Sequence, residues 1–95
     1  MAVIETTTFR LADGVDDAVF LEFDERVRTG FLYHQRGMAR ATTARGEDGE
    51  WIVVVLWASE DDADAALDAG TNDGAMQRFM ELVDGVERKR YTTFD

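Results

Sequence analysis

Cysteine is absent from the chain, histidine occurs once, at His34, and lysine once, at Lys89. Without cysteine there are no disulfides, thiolate nucleophiles or cysteine metal sites. With one imidazole besides, neither a Ser-His-Asp arrangement nor a metal cluster can be assembled. Long apolar runs are also lacking. The longest, Trp51 to Ala58, is far short of the roughly 20 residues of a membrane span. The opening stretch MAVIETTTF has no basic region followed by an apolar one, so neither export nor insertion is expected, and the expected location is cytoplasmic. Positive charge is scarce: Lys and Arg number 10 against 20 Asp and Glu, a formal net charge of −10. Such a surface repels phosphate backbones, which argues against a nucleic-acid partner.

A core is nevertheless within reach. The 95 residues are 45% hydrophobic and include six Phe, two Trp and two Tyr, enough apolar area to fold as one soluble domain over residues 1–95.

Val3 to Leu11, VIETTTFRL, reads as a strand before the turn signal Ala12-Asp13-Gly14. From Asp16 the period becomes helical, with Val19, Phe20, Phe23, Val27 and Phe31 along one stripe and Glu22, Asp24, Glu25, Arg26 and Arg28 around it. Asp16 and Asp17 suit its N-terminus, and the helix is expected to fade near His34 to Gly37. Met38 to Arg45 and Trp51 to Trp57 read as two strands joined by a hairpin through Gly46-Glu47-Asp48-Gly49. Ser59 with Asp62 resembles a capping box. The helix it opens breaks at Gly70 to Gly74 and resumes through Met76, Phe79, Met80 and Val83. A fourth strand is expected over Val86 to Phe94, after a turn at Asp84-Gly85.

The order β-α-β-β-α-β fits an α+β, ferredoxin-like fold, an antiparallel sheet with both helices on one face and the first and third strands central. That leaves a difficulty in WIVVVLW. Trp51, Val53, Val55 and Trp57 fall on one face of the strand and Ile52, Val54 and Leu56 on the other, so both faces are apolar while the helices cover only one. A second copy packed sheet against sheet would bury the remainder, and a homodimer is expected.

With this pattern, three stretches resemble the dimeric α+β barrel superfamily and its antibiotic biosynthesis monooxygenase-like branch: VIETTTFRLADGVDDAVFLEF, VVVLWASEDDADAAL and AMQRFMELVDG. The resemblance implies a homodimer and, in each subunit, a mainly apolar pocket between sheet and helices. Some members oxidise polycyclic phenols there without metal or flavin, and others hold haem. A tryptophan at the end of the third strand recurs in both kinds, and Trp57 stands at that position. Members often carry asparagine in the first strand where this chain has Thr7, and Pro-Gly-Phe where it has Arg36-Gly37-Met38. Haem-degrading members need a histidine on the second helix, where this chain has Phe79 or Met80. No haem, and no other cofactor or metal, is therefore expected.

The candidate pocket residues are Trp57, Thr7, Phe23, Phe79, Tyr91 and His34, with Tyr33, Arg40 and Arg90 as further sources of a phenol or a cation. The acidic run Glu60, Asp61, Asp62, Asp64 and Asp68 matches no calcium-loop spacing and reads as a solvated helix face, and Gly70 to Gly74 lacks the lysine of a phosphate loop. Two function classes remain open. One is a cofactor-free monooxygenase acting on an aromatic or polyketide-like molecule. The other is a non-enzymatic dimeric module, with the pocket filled by Phe20, Phe23, Phe31 and Phe79.

Overall fold

The computed structural model describes residues 1–95 and places a strand at each of the four segments where one is expected, with β4 starting earlier. Strands β1 (Val3–Leu11), β2 (Met38–Arg45), β3 (Trp51–Trp57) and β4 (Val83–Thr92) form one antiparallel sheet in the order β2-β3-β1-β4. The two central strands are the two most apolar, and the edges carry the charge, an arrangement that discourages edge-to-edge pairing.

Helix α1 (Asp17–Gly30) is capped by Asp16, whose carboxylate accepts from the Ala18 N–H at 2.7 Å. It ends earlier than its periodicity predicts. A 3-10 turn over Leu32–His34 takes up the segment that was expected to be the last helical turn. Ser59 Oγ accepts from the Asp62 N–H at 3.1 Å to open α2 (Glu60–Gly70), and Asp73 accepts from the Met76 N–H at 2.9 Å to open α3 (Gly74–Glu81). The glycine-rich break therefore produces two separately capped helices.

The fourth strand begins three residues before the expected Val86. Thr8 pairs with Glu87 and Arg10 with Asp84, so β4 carries one extra residue opposite Phe9. Gly85, at φ +63°, takes up the bulge that its sequence made look like a turn.

On the helix side of the sheet, Phe9 and Trp51 pack with Phe20 of α1 and Phe79 of α3, with ring centroids 4.8–5.6 Å apart. Val19, which the helical stripe included, is exposed, and Asp24 is buried in its stead. The stripe that reaches the core is Phe20, Asp24, Val27 and Phe31, rotated slightly from the one the apolar residues suggest. The opposite face of the sheet carries Ile4, Ile52, Val54 and Leu56, all half-buried, with no helix over them. No helix is long and apolar enough to cross a membrane.

Candidate functional site

The aromatic cluster fills only the hairpin end of the space between sheet and helices. At the other end Trp57, the last residue of β3, underlies the junction of α2 and α3. Gly70 and Thr71, at the break between the two helices, border a cavity of about 420 Å³ whose other walls include Trp57, Phe31, Leu32, Met76, Leu67 and Met80. Its size and apolar lining are those of a small-molecule pocket.

Few polar groups face it. Glu5 of β1 and Arg88 of β4 enter from the sheet. Glu5 Oε2 accepts from Arg90 Nε at 3.0 Å, and Arg90 Nη1 reaches Asp64 of α2 at 2.5 Å. The hydrogen bond to Asp64, followed by the interactions with Glu5, holds the Arg90 proton still more firmly than usual. Arg88, an exposed residue at the cavity's edge, has neither an ion pair nor a hydrogen bond to the protein. Trp57 is 2% exposed, and its indole N–H is buried without an acceptor. An unmet buried donor costs about 1–3 kcal/mol.

A smaller cavity of about 70 Å³ adjoins the first and shares Glu5, Leu32, Met76, Met80 and Arg88 with it. Thr7, Asp24, Val53 and Phe79 are among its own walls. Asp24 Oδ1 accepts from Thr43 Oγ1 at 3.0 Å. Arg28 Nε lies 3.4 Å from Oδ2, within ion-pair distance, but the angle is wrong for a hydrogen bond, and both atoms are left without one. Burial raises the Asp24 carboxyl above its ordinary range, outweighing the opposing effects of Thr43 and Arg28.

Of the residues singled out in the sequence, Trp57 lines the larger cavity, and Thr7 and Phe79 line the smaller. The other three lie elsewhere. Phe23 is half-buried on α1 beneath the guanidinium groups of Arg26 and Arg78, 5.0 and 5.8 Å from its ring centre. His34 ends the 3-10 turn and is exposed. Tyr91 pairs with Ile4, a register that puts it on the sheet face away from the helices, where it is 52% exposed. Tyr33 is exposed, Arg40 pairs with Leu56 on that same outer face, and Arg90 is occupied by Glu5 and Asp64. The cation that does face the cavity, Arg88, follows from the alternation of β4 only once the bulge at Gly85 has fixed which face is which.

No protein-family model and no curated protein matches the sequence. Solved structures do. A variant of SnoaB, a cofactor-independent oxygenase from Streptomyces nogalater, superposes with a TM-score of 0.83 at 20% identity, over 99% of this chain and 94% of SnoaB. A candidate antibiotic biosynthesis monooxygenase from Chloroflexus aurantiacus J-10-fl gives 0.76 at 13% identity, over 100% and 95% of the two chains. A Mycobacterium tuberculosis protein gives 0.73 at 14% identity, over 100% and 97%. The chain shares its fold, an antiparallel sheet of order β2-β3-β1-β4 with helices on one face, with these solved structures. At these identities the likeness is one of fold, and the chemistry has to be argued from the cavity.

Proposed function

We propose that the protein binds a flat, hydroxylated aromatic or polyketide-like molecule in the cavity beside Trp57 and oxygenates it without a cofactor. The observation that carries this reading is the cavity itself. About 420 Å³ of mainly apolar space contains one unpaired guanidinium, Arg88, and one unmet N–H donor, Trp57. Apolar walls accept the ring, and the two donors suit the oxygen of a phenolate or enolate.

In this reading Arg88 and the Trp57 N–H stabilise the ligand's anion, and Glu5, which lines the same cavity, accepts the proton whose loss creates it. The anion's carbon then attacks dioxygen. One oxygen atom stays on the carbon as a carbonyl, the other leaves as water, and the substrate carbon supplies all the electrons. Phe31, Leu32, Met76 and Met80 supply the apolar walls against which the ring would lie.

Two copies are proposed to pack through the outer sheet face. Ile4, Ile52, Val54 and Leu56 form an apolar strip there that no element of the chain covers, flanked by Arg40, Glu87 and Lys89 of the edge strands. SnoaB-like oxygenase chemistry carries over to this chain only as part of the same proposal.

A second reading, a carrier that holds the same ligand unchanged, is favoured by one observation: Glu5, the carboxylate that lines the cavity, already has one oxygen occupied by a hydrogen bond from Arg90. Oxygen uptake separates the two. Oxygenase activity predicts that dioxygen is consumed in proportion to a hydroxyanthrone probe and that the rate falls about tenfold or more in Arg88→Gln. Stoichiometric binding with no oxygen uptake beyond the protein-free rate favours the carrier.

A further inference from the structure

We propose that the smaller cavity is a subsite for a ring hydroxyl of the ligand, and that Asp24 is the residue that recognises it. The inference rests on the aromatic-ligand reading above and narrows it to molecules with a second oxygen substituent.

Asp24 is the one charged side chain among the buried residues, 2% exposed. A carboxyl buried for purely structural reasons is normally hydrogen-bonded at both oxygens, because burying it otherwise is costly. Thr43 meets one oxygen, and the other has only the ion pair with Arg28 Nε at 3.4 Å, which lacks hydrogen-bond geometry. The space that Asp24 helps to line is about 70 Å³. That exceeds the room one water requires but is well below the roughly 150 Å³ that holds a benzene ring. It therefore takes a substituent and not a ring.

Position supports the same assignment. The shared walls, Glu5, Leu32, Met76, Met80 and Arg88, mean that the edge of a ring in the larger cavity faces the smaller one. Beyond them lie Asp24, Thr7 and the apolar Val53. A hydroxyl suits Asp24 in either protonation state, since it donates to a carboxylate and accepts from a carboxylic acid. A carbonyl or an ether oxygen suits only the acid.

The test compares two probes by calorimetric titration of the intact protein. One is a dihydroxyanthraquinone whose second hydroxyl is free of the ring carbonyl, and the other is its counterpart lacking that hydroxyl. The parent is expected to prefer the first by about tenfold or more, the usual worth of a buried hydrogen bond to an ionisable group. Asp24→Ala should bring the preference to about one while leaving the affinity for the simpler probe unchanged, and Asp24→Asn should restore most of it. If the Ala variant does not fold, Val53→Leu gives an independent test. It enlarges one wall of the smaller cavity while leaving the Asp24 carboxyl in place, and should weaken only the dihydroxy probe. Binding of both probes with no preference in the parent, or equal weakening of both by these variants, overturns the subsite and leaves the larger cavity's assignment standing. Failure of both probes to bind overturns the two together.

Discussion

Arg90 donates to Glu5 across a 3.0 Å hydrogen bond, while Arg88, two residues earlier on the same face of β4, has no acceptor. Neighbouring arginines thus do different work. Arg90→Met leaves Glu5 largely buried without its partner and should lower stability by about 1–3 kcal/mol. Arg88→Met should stay within about 0.5 kcal/mol of the parent yet weaken an anionic aromatic ligand. Urea denaturation and ligand titration of the two variants check this pair of opposite outcomes.

Asp24 makes stability depend on pH in a defined direction. Its folded-state pKa is raised above 3.8, chiefly by burial. Below 3.8 the carboxyl is protonated in both folded and unfolded chains. As the pH rises through the folded value, the native state has to ionise a buried group that the unfolded chain ionises freely, and stability is lost. Asp24→Asn removes that loss and keeps an acceptor for Thr43. Its melting temperature should match the parent's near about pH 3.5 and exceed it near about pH 7.

Gly37 is held at φ +79°, its carbonyl accepts from the Ala58 N–H at 2.7 Å, and a Cβ on it would overlap the Asp62 carboxylate. Gly37→Ala should therefore destabilise by about 1–3 kcal/mol. Adding Asp62→Ala removes the carboxylate but leaves the Asp62 Cβ, 2.7 Å from the new Cβ, and the backbone strain, and should recover only part of the loss in the same denaturation experiment.

Three of the four strands are legible in the sequence to the residue, because β1 and β2 are rich in β-branched and alternating residues, β3 is a short continuous apolar run, and turn signals at Ala12 to Gly14 and Gly46 to Gly49 punctuate them. The fourth was displaced because Asp84-Gly85 has the composition of a turn, and only the pairing with Arg10 and Thr8 shows it to be a bulge. Trp57 and Thr7 are picked out by the positions they hold in the family resemblance, and Phe79 by helical periodicity. Asp24 is not, since a carboxylate is ordinarily assigned to the wet side of a helix. The signal it did carry was its spacing, four residues after Phe20 and three before Val27. Glu5 alternates with Val3 and Thr7 and was readable in the same way. The cavity itself was not, because its lining depends on where the α2–α3 break falls over the sheet.

The bare outer face of the sheet gives a prediction about assembly. Val54 pairs with Thr42 and Thr6 at the centre of that face. Val54→Asp should turn a homodimer into a monomer at micromolar concentration with the circular dichroism of the parent retained, as light scattering would show. A parent that already scatters as a monomer contradicts sheet-to-sheet pairing.

Trp57 supplies the floor of the larger cavity and its unmet donor, so Trp57→Phe should keep the fold at modest cost while removing both the indole face and the N–H. The most direct measurement is isothermal titration of the parent and Trp57→Phe with a flat hydroxyquinone, alongside their melting curves. We predict saturable binding of one ligand per chain in the parent, weakened about tenfold or more in the variant, with both proteins cooperatively folded. No saturable binding by the parent, or equal affinities accompanied by a large loss of stability in Trp57→Phe, would show that Trp57 is core packing and that the cavity is not a ligand site.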